Sequence, residues 1–407
     1  MDVCHPYCCG LDVHQKSITA CLLTPSGKEV RTFSTMTARL RELVDWLVTN
    51  QCTHVAMEST GVLWKPIFNL LEGEAIHPMV VNAQHIKNVP GRKTDVKDAE
   101  WIADLLRHGL VRESFIPDKE QRELREMVRY RRSLIEERSR EINRVQKVLE
   151  GANIKLSAVA SNVMGVSGRA MLEAMVHGVT DPQELAGLAK KKLKDKREDL
   201  VLALDGVFGD HQKQMIGMQL RHIDEMDSLI EQLDEWIATR MQPMEEAIRR
   251  LDTIPGIGRA VAEQVLAETG TDMSRWPSDA HFCSWAAMSP GNNQSAGKRK
   301  KERTSKGNKK LRHALVEAAR SAARTKNTYL SAQYHRIAAR RGPNRAAVAV
   351  GHTILKIVYH MLKDNQDYVE LGHDYYDQRR KEQLLKQGVK RLQALGYEVT
   401  VTSPTVA

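Results

Sequence analysis

The chain has 407 residues, with 61 Lys+Arg against 51 Asp+Glu, a formal net charge of +10, 42% hydrophobic and 28% charged residues. At about 150 residues per domain this length suggests two or three domains. The apolar share excludes a disordered chain, and 5% aromatics argue against stacking platforms for single strands. No apolar run approaches the roughly 18 residues of a membrane span, and the N-terminus lacks a basic region followed by an apolar stretch. The expectation is a soluble, cytoplasmic protein that does not enter a membrane.

Tyr7 to Val13, Ser17 to Leu23 and Glu29 to Ser34 read as three β-rich runs, and Ala38 to Asn50 as an amphipathic helix. His54 to Met57 then reads as a strand, Trp64 to Leu71 as a helix, His77 to Val81 as a strand and Asp98 to Arg107 as a helix. Three meandering strands followed by alternating helices and strands predict an α/β domain of the ribonuclease H type over residues 1–115.

Five of the six cysteines (Cys4, Cys8, Cys9, Cys21, Cys52, Cys283) lie in the first 52 residues, with no C-x-x-C spacing. A disulfide framework is not expected. Cys4, His5, Cys8 and Cys9 lack a second cluster that would complete a zinc site.

From Lys119 to Leu149 the pattern turns helical, with Val128, Ile135, Ile142 and Leu149 seven apart and Leu124, Leu134 and Val145 alongside them. Ile216, Ile223, Ile230 and Ile237 form a second such series, with Leu220, Met226 and Leu233 beside it. The two predict long paired helices, a coiled-coil region over residues 116–250. Sequence leaves open whether they pair within one chain or between two. Lys190 to Arg197 is a basic connector between them. Residues 251–327, rich in Gly, Asn and Lys, read as a further domain, and 328–407 as a mainly helical, basic extension with a loose tail.

Three constellations could carry chemistry. The first is a set of acids: Asp12 in GLDVHQ, Glu58 in AMESTG, and Asp95 with Asp98 in GRKTDVKDAEW. An acid inside or at the end of an apolar strand is costly unless paired or bound to a cation. Asp95 and Asp98 share a face if a helix begins there. Four such carboxylates suit Mg²⁺ or Mn²⁺, and paired ions can clamp both oxygens of a phosphodiester displacement. The second is LDTIPGIGRAVAEQVLAETG, where Pro255, Gly256 and Gly258 make a turn between helices that can point N–H groups at a phosphate. The third is PGNNQSAGKRKKERTSKGNKKLR. Its cations Lys298, Arg299, Lys300, Lys301, Arg303, Lys306, Lys309, Lys310 and Arg312 stand against the single acid Glu302, a footprint for nucleic-acid phosphates. Ser295 lies in the loop before them, with no Ser/His/Asp arrangement readable around it.

GLDVHQ, AMESTG, KTDVKDAEWIADLL, IPGIG and PGNNQSAGKRKKERTSKGNKKLRHAL, in this order over residues of about 8 to 325, resemble the DEDD-type insertion-sequence transposases, the family that includes the Piv-like site-specific invertases. The resemblance implies a RuvC-like N-terminal domain in which Asp12, Glu58, Asp95 and Asp98 bind metal. It further implies a C-terminal transposase domain whose serine, Ser295 here, forms a covalent phosphoserine link to DNA, and a bridging RNA that pairs with donor and target DNA. The resulting expectation is a nucleoid-associated recombinase of a bacterial or archaeal mobile element, Mg²⁺- or Mn²⁺-dependent, acting on double-stranded DNA as a dimer or tetramer. Two other readings of the same residues are a metal-dependent nuclease or junction resolvase that uses water, and a non-catalytic nucleic-acid-binding protein.

Overall fold

The computed structural model describes residues 2–59, 61–81, 95–289, 294–295, 298–299, 307–379 and 381–400. The chain divides into two compact units, Met1–Arg122 and Glu123–Ala407.

The first unit is built on β1 (Cys8–Val13), β2 (Ser17–Thr24), β3 (Gly27–Ser34), β4 (His54–Glu58) and β5 (His77–Val81), in the spatial order β3-β2-β1-β4-β5. β2 is antiparallel to β1 and β3, while β1, β4 and β5 run parallel. Parallel neighbours need crossover connections. They come from α1 (Thr37–Thr49) and α2 (Lys65–Leu71), and α3 (Asp95–Arg107) follows β5.

Strand alternation sorts the sheet residues onto two faces. Cys9, Leu11, Val13, Val55 and Met57 pack with Leu43, Leu47, Ile67 and Phe68 of α1 and α2. Cys8, Ala56 and Val81 pack on the other side with Ala99, Ile102, Ala103 and Leu106 of α3. The predicted strands and helices of this unit are present within a few residues. α3 starts at Asp95, three residues earlier than its apolar pattern suggests.

The second unit is helical. α4 (Lys119–Gly151) leads into a group of short helices, α5 (Leu156–Val159), α6 (Val166–Val176), α7 (Pro182–Gly187) and α8 (Arg197–Leu204), with the basic connector forming a 3₁₀ turn over Lys191–Lys196. α9 (Asp210–Met241) returns along α4. Arg240 bonds Glu123 at 2.8 Å, Arg131 bonds Asp234 at 2.7 Å, and Arg138 bonds Asp227. Partner numbers fall as α4 numbers rise, so the two long helices are antiparallel and pair within the chain.

The heptads are only partly buried. Ile216, Ile223 and Ile237 are fully buried on α9. On α4, Val128 and Leu149 are buried, whereas Ile135 is 39% exposed and Ile142 half-buried. The buried stripe of α4 runs through Val128 and Leu149 together with the flanking Leu124, Leu134 and Val145, and with Arg131 and Glu141. The strict Val128/Ile135/Ile142/Leu149 seam is therefore not the packed one.

α10 (Glu245–Asp252), α11 (Arg259–Thr269) and α12 (Asp279–Trp285) precede a two-stranded ribbon, β6 (Gln294–Ser295) with β7 (Lys298–Arg299), paired antiparallel with Ser295 opposite Lys298. α13 (Lys309–Ala322), α14 (Tyr329–Arg341), α15 (Pro343–Asp364), α16 (Tyr375–Arg379) and α17 (Lys381–Ala394) complete the unit. Among the described residues no helix is long and apolar enough to cross a membrane.

Candidate functional sites

Asp12 and Glu58 meet at the ends of neighbouring parallel strands. The register pairs Cys8 with His54 through to Leu11 with Met57, so the next residues along the two strands are Asp12 and Glu58. Such strands lie about 4.8 Å apart. By alternation Asp12 follows Cys8 and Gly10, and Glu58 follows Ala56, onto the face that α3 covers.

The direction of α3 completes the arrangement. Cys4 N–H donates to the Arg107 carbonyl at 2.8 Å, and Cys8 Sγ lies 3.7 Å from the Ala103 carbonyl. A Cβ on Gly10 would fall 2.3 Å from Ala99 O and 2.4 Å from Ala103 N. Advancing along β1 thus means retreating along α3, and the first turn of α3, with Asp95 and Asp98, lies toward the Asp12 end of the strand. Gly10 permits this approach because any side chain there would push the helix away. No carboxylate pattern announces it.

The Asp12 side chain is 15% exposed and its Oδ2 lies 3.0 Å from His14 Nε2. Glu58 and Asp98 are half-buried. Asp95 is placed by its backbone as the first residue of α3, and its side chain lies outside the described residues. Among the described residues no three His, Cys, Asp or Glu side chains already form a metal-holding group. The donor chemistry nevertheless fits a hard divalent cation: carboxylates on one face, Asp12 largely withdrawn from water, and no thiolate among them. Burial pushes the Cys8 and Cys21 thiols up to about 11 and Cys52 up to about 12, so they stay protonated near neutrality.

The Pro255–Gly258 turn joins α10 to α11. Ile254, Ile257 and Val265 are buried and Val261 is half-buried where the turn brings α10 and α11 together. Gly256, at φ +91°, faces inward: a Cβ there would meet Ala318 O at 2.3 Å and Ala322 N at 2.6 Å on α13. It therefore packs the turn against α13. Pro255 is half-buried, and Gly258, the N-cap of α11, is the exposed member of the three.

The serine segment leaves and re-enters a pinned base. Ala287 sits at φ +55°, and a Cβ on Gly307 would fall 2.5 Å from the Ala287 Cβ. Asn308 caps α13 by accepting from the N–H groups of Lys310 and Leu311, while its Nδ2 donates to Glu268 Oε2 at 2.7 Å. Glu268 is 1% exposed and is met by Arg129 at 2.6 and 2.8 Å and by Arg125 at 3.2 Å. A buried carboxylate is tolerable only with such partners. Arg129 is 139 positions from Glu268, and no local spacing signals this junction of α4, α11 and α13.

Ser295 and its neighbours Lys298 and Arg299 are described by backbone alone, and the ribbon replaces the open loop expected for Ser295. Lys300, Lys301, Arg303 and Lys306 lie outside the described residues. Lys309 and Lys310 are exposed on the first turn of α13, and Arg312 is half-buried.

A carboxylate-bearing mixed sheet and a helical unit carrying a concentrated basic run form an architecture suited to acting on phosphodiesters. A transposase family model of the DEDD type, IS110, matches residues 9–154. A second, described as the transposase IS116/IS110/IS902 family, matches residues 248–335. The transposase for insertion sequence element IS1111A of Coxiella burnetii (strain RSA 493 / Nine Mile phase I) is 23% identical over 369 residues, covering 88% of this chain and 90% of the relative. The two family matches together cover more than half of the chain, and the chain belongs to the IS110 family of insertion-sequence transposases. It is accordingly an enzyme of DNA transposition. Asp12, Glu58, Asp95 and Asp98 fall in the first match and Ser295 in the second.

Proposed function

We propose that this transposase cuts and rejoins DNA through a covalent phosphoserine intermediate at Ser295, with Asp12, Glu58, Asp95 and Asp98 holding Mg²⁺ or Mn²⁺. The observation that carries the reading is the convergence of Asp12 and Glu58, one step beyond the last paired residues of β1 and β4, on the face where α3 begins. The strand order β3-β2-β1-β4-β5, with only β2 reversed, supports the RuvC-like, ribonuclease H type of domain.

In the cleavage step the Ser295 hydroxyl oxygen bonds to phosphorus and loses its proton, while the bond from phosphorus to one bridging oxygen breaks and releases a strand end with a free hydroxyl. Rejoining reverses this. A hydroxyl of another strand attacks the phosphoserine ester and Ser295 leaves, so bonds are exchanged one for one and no ATP is needed. The bound cation would supply charge neutralisation at the attacked phosphate. Asp12, largely withdrawn from water beside His14, would be held in place for that cation. The cations from Lys298 to Arg312 would keep the phosphate backbone in position, with the exposed Gly258 end of α11 a further phosphate contact. The same positive run offers charge to an element-encoded bridging RNA, whose base pairing would choose the sites.

Exchange of four strands requires more than one copy. Tyr130, Leu229 and Trp236, at 53%, 41% and 57% exposure, line a shallow apolar groove along α4 and α9, a surface suited to self-association as a dimer or tetramer.

The test is a denaturing gel of protein incubated with element-end DNA, co-expressed flanking RNA and Mg²⁺. Wild-type protein is expected to give a covalent adduct that Ser295→Ala and Asp98→Ala both lose. Cleavage without an adduct, unchanged in Ser295→Ala, would replace serine with water as the nucleophile.

A further inference from the structure

Residues 318–363 contain no Asp or Glu and nine Lys or Arg, and from residue 336 onward they lie beyond both family matches. Three of the nine are engaged: Arg336 lies over the Tyr376 ring and 3.8 Å from Asp377, Lys356 pairs with Asp279 at 2.9 Å, and Lys363 lies over Tyr359. The rest behave differently. Arg320, Arg324, Lys326, Arg340, Arg341 and Arg345 are exposed, and none has an ion pair among the described residues. Elsewhere in the same unit arginines are characteristically paired, as Arg129, Arg131, Arg132, Arg138, Arg169 and Arg259 show.

These exposed cations are gathered by the fold. Arg320 Nη2 donates to Asn344 Oδ1 at 3.1 Å, joining the end of α13 to the start of α15. Ser331 Oγ donates to the Ala323 carbonyl at 3.0 Å and His335 Nε2 lies 3.1 Å from it, holding the first two turns of α14 against the same end. Arg340 and Arg341 close α14 at the Gly342 turn, and Arg345 opens α15, whose N-terminus adds the positive end of a helix dipole. The acids nearest in sequence do not neutralise the patch. Glu317 is taken by Arg132, Asp364 lies 3.7 Å from His360, Asp367 lies 3.6 Å from Arg250, and Glu370 accepts from the Tyr329 N–H and Tyr368.

We infer that Arg320, Arg324, Arg340, Arg341 and Arg345 form a second phosphate-binding surface, for the backbone of double-stranded DNA. Arginine rather than lysine dominates, which suits phosphate-oxygen recognition by a planar fork. α13 runs from Lys309 and Lys310, just after the serine segment, to this patch, a span of about 20 Å for its 14 residues, or roughly six base pairs of duplex at 3.4 Å per step. The surface anchors the flank of the duplex that Ser295 attacks and carries no sequence information itself. In its link to Ser295 it rests on the proposed function, but its binding energy does not require serine chemistry.

The experiment is the salt dependence of binding to a fluorescein-labelled random-sequence DNA duplex, read by anisotropy, with an RNA duplex of equal length in parallel. The triple variant Arg340→Gln/Arg341→Gln/Arg345→Gln is expected to flatten the slope of log K against log salt by about 2 to 3 units, at about 0.9 for each phosphate no longer neutralised. The matching triple Arg→Lys variant should keep most of the slope, which also shows that the helices still fold. Ser295→Ala should bind with the wild-type slope, so failure of the serine chemistry leaves this result standing. An unchanged slope in the Gln triple overturns the surface, and a change confined to the RNA duplex overturns its assignment to DNA.

Discussion

The two units present their functional groups by opposite means. In the N-terminal unit, Asp12 and Glu58 are positioned by strand register and alternation, rules that act over neighbouring residues and leave the side chains no choice of face. In the C-terminal unit, the base of the serine segment is fixed by buried charge: Glu268 joins Arg125, Arg129 and Asn308 across three helices. The first kind of site is cheap to specify and tolerant of its surroundings. The second depends on every partner being present, because an unpaired buried charge is costly.

Asp12→Ala and Glu58→Ala are expected to lower strand cleavage by about 10³-fold or more while leaving circular dichroism unchanged, as measured on labelled element-end DNA; cleavage near wild-type rates would remove the carboxylates from the chemistry. Glu268→Ala removes the buried acid shared by Arg125, Arg129 and Asn308, and, because Arg129 is 40% exposed and Arg125 keeps the Ala267 and Glu268 carbonyls, should destabilise the C-terminal unit by about 1–3 kcal/mol in urea unfolding. A loss below about 1 kcal/mol would mean that water takes over its role. Gly10→Ala drives a methyl group into Ala99 and Ala103 and should cost about 1–3 kcal/mol in the N-terminal unit, with cleavage falling although all four acids remain. Asn308→Ala removes the α13 cap and should cost about 1 kcal/mol. Smallest of all, Ile135→Ala should change stability by no more than about 0.5 kcal/mol, whereas Ile223→Ala, fully buried, should cost about 2–5 kcal/mol.

Much of the N-terminal unit was legible because its signals are local. Alternation marked β1 to β5, and the 3.6-residue period marked α1 and α3. The close approach at Gly10 was not legible, since a glycine in GLDVHQ reads as strand content until the helix that touches it is known. Long-range pairing escaped for the same reason: only Arg131–Asp234 and its companions separate a hairpin within the chain from a contact between chains. The seven-residue spacing also overstated burial at Ile135 and Ile142, whereas the flanking Leu124, Leu134 and Val145 are buried. The basic run was plain as charge. What fastens its base, Glu268 with Asn308, lies 40 residues apart and in a buried acid that sequence alone would assign to the surface.

The most direct measurement is tandem mass spectrometry of nuclease-trimmed, protease-digested adduct isolated after reaction with element-end DNA. A nucleotide phosphate attached to the peptide containing Ser295 is expected, absent from Asp12→Ala protein. Cleaved DNA with no modified Ser295 peptide, or a nucleotide attached to another residue, would contradict this expectation.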